Sequence, residues 1–292
     1  MNVNAIDNRQ NEERMLRYQF ASRINYNRAE VKNDLVWLCC FISWLTIFLP
    51  YSSSWEILFI AIPFFVDMIA TILNWRMIVD VSSASKLRKY FDAYVLGINT
   101  DEFSKTELQE LEELSIKAVK HYPEKSKEQM ANTGRDDPPG VRNWYEFSQP
   151  LSEQDAIYEC QKQNCWWNKK ITNKRLVYTG IGLLAFIPLS IFFMMGEKTE
   201  AEILKIIFSS GGLITKCTER IIENVKYYMV SLKIDGALDV LENSRTDENM
   251  SKLQAEIDMR RAMPVLERNC IHKSLAKVYS ELYHDITTIK RK

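Results

Sequence analysis

Charge is spread very unevenly along this chain. Leu35 to Pro50 is sixteen residues without a charge, and after the break Tyr51-Ser-Ser-Ser54 the stretch Trp55 to Leu73 is apolar apart from Glu56 and Asp67. Leu176 to Met195 is twenty residues without a charge. At about 1.5 Å rise per residue, a run of that length covers roughly 30 Å, the thickness of a bilayer core. A weaker run, Ile203 to Thr215, follows Gly196-Glu-Lys-Thr-Glu200 and carries Lys205 near its start. These runs predict an all-α integral membrane protein with four transmembrane helices in two hairpins, over 35–79 and 176–218.

The rival reading, core helices of a soluble protein, is weighed against the flanks. Arg14, Arg17, Arg23, Arg28 and Lys32 precede the first run, and Lys86, Arg88 and Lys89 follow the second. Lys162, Lys169, Lys170, Lys174 and Arg175 precede the third, and Lys216, Arg220 and Lys226 follow the fourth. The two short connections hold only Lys198. By the positive-inside rule, both hairpins enter and leave on the cytoplasmic side. Trp37, Tyr51, Trp55 and Trp75 fall near span ends, where aromatic belts form. A multi-pass protein of a bacterial inner membrane, with both termini in the cytoplasm, is the expected arrangement. No signal peptide is expected, because the first run begins late and leads into a second.

The remaining segments read as helical and cytoplasmic: an amphipathic N-terminal helix in 1–34, an insert over 80–175 and C-terminal helices over 219–292. Leu16, Phe20 and Ile24, then Leu87, Phe91 and Val95, recur at helical spacing. Lys105 to Tyr122 predicts another helix. From Pro123 to Pro150 the periodicity stops, and Gly134, Pro138, Pro139 and Gly140 predict a long loop. That loop holds Gly140-Val-Arg-Asn-Trp-Tyr-Glu-Phe147, more aromatic than a disordered linker. Helix is expected again from Ser152 through Cys160 and Trp167 toward the third span. Ile221, Val225, Met229 and Leu232 extend a stripe from the fourth run, with Gly236 as a possible break. A last stripe runs from Ile271 to Ile289. Such stripes are usually packing faces, and they also suit oligomerisation.

Composition then removes whole classes. The chain has 292 residues, with 38 basic against 38 acidic, so a bulk DNA or RNA binder is not expected. Six cysteines, none in a CxxC pair, fit a reducing compartment. Walker, GxGxxG, GxSxG and HExxH motifs are missing, and the three histidines form no metal-ligand pattern. Neither catalysis, a metal nor a cofactor is expected.

Candidate chemistry is confined to two places. Asp67 lies about 18 Å from the outer end of its span at Trp55, where a charged carboxylate costs roughly 2.5 to 3.5 kcal/mol. Gly211 and Gly212 of the fourth run lie at its level, beside Ser209 and Ser210. This set reads either as a pore or gating element or as a neutral, hydrogen-bonded packing site. Lys205, only about 6 Å deep, is expected to snorkel outward. In the loop, Arg142, Asn143, Trp144 and Tyr145 read either as a phosphate- and base-binding surface or as the pins that hold the loop to the helices.

Several motifs resemble the SMODS-associated four-transmembrane family, described as pore-forming effectors of bacterial anti-phage systems. They are the opening helix from Ile6 through Gln10-Asn11 to Ala21-Ser-Arg23 and Tyr26-x-x-Ala29, and Phe91-Asp92-x-x-Val95-Leu96 after the second span. The most telling is Gly140-Val-x-Asn143-Trp144-Tyr145, followed by Cys160-Gln161-x-x-Asn164 and Trp167 before the third span. The resemblance covers nearly the whole chain. It implies an effector that responds to a cyclic oligonucleotide made by a partner nucleotidyltransferase and breaches the bilayer, as a homo-oligomer, since two hairpins are too few for a pore. It adds Gln161 and Asn164 to the candidate ligand residues. The alternative is a membrane-anchored helical interaction module with no pore of its own.

Overall fold

The computed structural model describes residues 3–49, 56–146, 151–165 and 168–265. Among these the chain is helical, and its extended pairing is one isolated bridge between Thr133 and Arg142. The helices are α1 (Val3–Gln10), α2 (Glu13–Leu45), α3 (Glu56–Leu96), α4 (Lys105–His121), α5 (Pro123–Ala131), α6 (Glu153–Gln163), α7 (Asn168–Met194), α8 (Glu200–Asn243) and α9 (Asp247–Ala262). The stripe expected from Ile271 to Ile289, and Trp167, lie outside the described residues.

Local chemistry explains most boundaries. Ser104 accepts from the Glu107 amide while Glu107 accepts from the Ser104 amide, a reciprocal cap that starts α4. Thr199 and Glu202 start α8 in the same way. Ser152 caps α6 and Thr246 caps α9 through single side-chain oxygens.

Three local expectations change. The long loop begins nine residues late, because Pro123 opens α5 instead of ending helix; at the first helical position its missing N–H costs nothing. The helix from Ser152 stops at Gln163, where the Asn164 and Cys165 amides turn back to the preceding carbonyls. Gly236 does not interrupt α8, which runs unbroken for 44 residues.

The chain divides into two compact units. The first comprises Met1–Arg28, Asp80–Trp166 and Met229–Met263, and the second Ala29–Val79, Trp167–Tyr228 and Pro264–Lys292. Helices α2, α3 and α8 contribute residues to both. The first unit has an ordinary apolar interior built on Tyr18, Phe20, Leu87, Phe91, Ile157 and Leu253. The second has only a small cluster around Val36, Trp44, Ile206 and Leu213, with Trp44 set edge-on against Phe48 and Phe186.

The second unit's large apolar side chains instead point outward: Phe64, Phe65, Ile181 and Phe192 are all more than half exposed, and Leu184 is 75% exposed. In water, such a surface would be far beyond what a monomer carries; in a bilayer it is the ordinary outer face. Three helical stretches are long and apolar enough to cross a membrane, Glu13–Phe48, Ile60–Leu96 and Leu176–Met194. The fourth apolar run forms the start of α8 and does not reach that standard alone.

Candidate functional site

Two polar clusters hold the candidate residues, one in each unit. In the first unit, the segments quoted above as motifs meet around Tyr145. Its ring is buried at 1% exposure beside Phe91. Its hydroxyl donates to Asp92 Oδ1 at 2.7 Å and accepts from Asn164 Nδ2 at 2.9 Å. The side chain of Gln10 clasps its backbone on both sides, accepting from the Tyr145 amide at 2.8 Å and donating to its carbonyl at 3.1 Å. Asn11 holds Asn143 likewise, donating to its Oδ1 at 2.7 Å and accepting from its amide at 3.1 Å. Asn143 sits at φ 50°, in the left-handed region that Asn tolerates better than most residues.

The other end of the loop is fixed by α5. Val141 donates to the Gln129 carbonyl and Arg142 to the Asn132 carbonyl. A Cβ on residue 140 would collide with both of those carbonyls, so only glycine fits. Arg23 donates to the Pro139 and Gly140 carbonyls at 2.8 and 3.1 Å.

Asp92 is the centre of charge. Fully buried, it receives Arg261 Nη1 at 2.5 Å and Gln254 Nε2 at 3.2 Å in addition to Tyr145. Gln161 donates to Gln254 Oε1 at 3.1 Å and to the Met250 carbonyl at 2.9 Å. Burial, then the charge of Asp92, pushes the Tyr145 phenol well above its ordinary value, so it remains a neutral donor. Burial opposes the charge on Arg261, but Asp92, Tyr145 and Asp258 outweigh it, and its pKa rises. Burial, reinforced by nearby Asp92, lifts the Asp258 carboxyl to about 6 against the pull of Arg261.

The six candidate ligand residues therefore fall into two groups. Tyr145, Gln161 and Asn164 spend their side-chain donors inside the unit. Asn143 and Trp144 are exposed and Arg142 half-buried. Arg142 Nε donates to the Met130 carbonyl at 3.2 Å, and the guanidinium of Arg88 lies 3.8 Å from the Trp144 ring centroid. Asp92, Arg261 and Gln254 were absent from the candidates. Asp92 adjoins an apolar helical stripe, which hides it, and the other two come from α9, far away in sequence.

The second cluster is a groove of about 410 Å³ in the second unit, lined by Asp67, Thr71, Asn74, Gly211, Gly212 and Lys216 among others. Gly212 faces Asp67 so closely that a Cβ there would run into the carboxylate. Asp67 Oδ1 is buried with no hydrogen-bond partner among the described residues. Lys216 donates to Asn74 Oδ1 at 2.8 Å and lies 3.9 Å from Glu219. Ser209 and Ser210 do not line the groove: both are buried, and Ser209 shares a 2.6 Å hydrogen bond with Thr46.

Lys205 corrects an expectation. It turns inward at 4% exposure and donates to the Leu49 carbonyl at 2.5 Å instead of reaching outward. The carbonyl, left over after α2 and its short 3₁₀ extension, is a partner that depth arithmetic along one helix could not reveal.

Long apolar helices with an outward apolar surface, joined to a helical unit with an ordinary apolar core, define a helical membrane protein. The family model of the SMODS-associating 4TM effector domain matches residues 4–252, and the chain belongs to that family. Comparison with curated proteins and with solved structures yields no match.

Proposed function

We propose that this protein is a membrane-permeabilising effector of bacterial anti-phage signalling, gated through its helical cytoplasmic unit by a cyclic oligonucleotide from a partner nucleotidyltransferase. It acts without catalysis, as a homo-oligomer in the inner membrane with both termini in the cytoplasm. The start of α8 supplies a fourth crossing and completes two hairpins. The observation that carries this reading is the Asp67 groove. A tether has no use for a carboxylate kept among apolar helices at a cost of roughly 2.5 to 3.5 kcal/mol, and a polar path does. Asp67, Gly211 and Gly212 border that path, with Ser209 and Ser210 packing behind it.

The signal is received at the exposed edge formed by Arg142, Asn143 and Trp144, with Tyr145, Gln161 and Asn164 holding that edge in place. The membership in a SMODS-associating family supports the nucleotide class, and an arginine beside an exposed indole suits phosphate and base. Helices α3 and α8 contribute residues to both units, so a ligand with different affinity for two arrangements of the first unit could bias the second.

The test is cyclic-oligonucleotide binding to purified protein with Arg142→Ala and Trp144→Ala. Weakened binding by tenfold or more, with unfolding temperature little changed, is expected. Unchanged affinity would remove the loop from the mechanism. One observation favours the runner-up, a membrane-anchored interaction module: most polar groups of the loop are already engaged within the protein. Under that reading Asp67→Leu leaves permeability and toxicity untouched.

A further inference from the structure

Helix α8 has two sharply different faces within the second unit. Leu213, Cys217, Arg220 and Asn224 are buried. The opposite side carries Phe208, Gly211, Thr215, Thr218, Ile222 and Val225, of which all but the half-buried Gly211 are exposed. These six follow one another at spacings of three, four, three, four and three. Met229 and Leu232 continue the same alternation along the sequence, and both are exposed as well.

An alternation of three and four is a 3.5-residue repeat, whereas a straight helix turns every 3.6 residues. Such a stripe winds slowly about its own helix and remains in register only with a second helix that winds with it. Lipid imposes no such repeat. The composition along the stripe also fits a helix partner. Gly211, Thr215 and Thr218 are small and allow close approach where lipid surrounds the helices. Ile222, Val225, Met229 and Leu232 are larger and lie on a stretch bearing Glu219, Lys226 and Lys233, where a bilayer interior no longer covers them.

The stripe borders the Asp67 groove, since Phe208, Gly211 and Thr215 line it. No atom fills the space in front of Gly211, and Asp67 Oδ1 lacks a partner among the described residues.

We infer that the outward stripe of α8 is the docking surface for the same stripe of a second copy, packed in parallel, and that this pairing closes the Asp67 groove. The groove is incomplete in one chain. The inference deepens the proposed function, because it names the surface through which the oligomer forms.

Oxidative cross-linking of the full-length protein in bacterial-lipid vesicles tests it. Single cysteines are introduced by Thr215→Cys, Thr218→Cys, Ile222→Cys and Val225→Cys, with Lys226→Cys and Lys233→Cys as exposed positions off the stripe. The unsubstituted chain, with its own cysteines, supplies the background. Disulfide-linked dimer at least fivefold above the off-stripe positions is expected at all four stripe positions. A flat profile, or one with maxima at 226 and 233, overturns the inference. So does dimer that forms only after residues 266–292 are removed, because the C-terminal segment would then be what covers the stripe. Dye release from the same vesicles separates the two claims. Release with a flat profile sinks the interface and leaves the effector reading standing. A periodic profile without release under any cyclic oligonucleotide preserves the interface and sinks the effector reading.

Discussion

The two polar clusters of this protein are built on opposite terms. Around Asp92, the charge is matched, a carboxylate with a guanidinium, a phenol and an amide, and the loop is clasped by Gln10 and Asn11, with the Gln161 side-chain oxygen left unpaired among the described residues. Around Asp67, a carboxylate oxygen is left without a partner beside an open groove. A saturated network in a low-dielectric interior rigidifies and specifies one arrangement. An unsaturated one holds free energy that water, an ion or another chain can release. The first cluster therefore belongs to the folding of its unit, and under the proposed function it holds the receiving edge while the second serves the membrane path.

The sharpest break of that contrast comes from removing charge at the saturated site. Asp92→Ala removes the nearer counter-ion of buried Arg261, leaving it Asp258 at 3.6 Å, and should cost about 3 kcal/mol, read as a large fall in unfolding temperature in detergent. A loss below about 1 kcal/mol would mean the network is not what holds the first unit together.

Next in size is a pH effect at the same site. The Asp258 carboxyl sits at about 6 in the fold against 3.8 ordinarily, so between those values the folded chain keeps a proton that the unfolded chain has released. Stability contributed by that proton is present at low pH and is lost as pH rises through 6, by about 2 to 3 kcal/mol in the limit. Asp258→Asn should flatten the dependence of unfolding temperature between about pH 4 and 6.5.

Trp144→Ala should cost less, about 0.5 to 2 kcal/mol for the lost contact with the Arg88 guanidinium, while weakening nucleotide binding more than it weakens the fold. An equal loss in both would mark the indole as packing alone. Smallest of all in stability is Asp67→Leu, within about 1 kcal/mol of neutral or slightly stabilising. Its effect should be confined to permeability.

These predictions follow how legible each part was. Uncharged runs with basic flanks reveal spans because a bilayer imposes length and composition directly, and three of the four runs fall in helices of that kind. The fourth, shorter and carrying Lys205, is helical only as part of a much longer α8. Caps such as Ser104 with Glu107 are local and readable; the start at Pro123 is ambiguous in sequence because proline signals both loop and first helical turn. The loop's aromatic motif was visible, and the choice between pin and ligand surface was not, because it depends on where Gln10, Asp92 and Arg261 arrive from. Lys205 shows the same limit, since its partner, the Leu49 carbonyl, lies 156 positions away.

The contrast between the clusters is tested most directly by dye release from vesicles carrying either the natural sequence or Asp67→Leu, incorporated to equal density, with and without cyclic oligonucleotides. The account predicts ligand-dependent release with Asp67 present and at least a tenfold slower release with leucine. Equal release from both proteins, or none from either under any ligand, would contradict it.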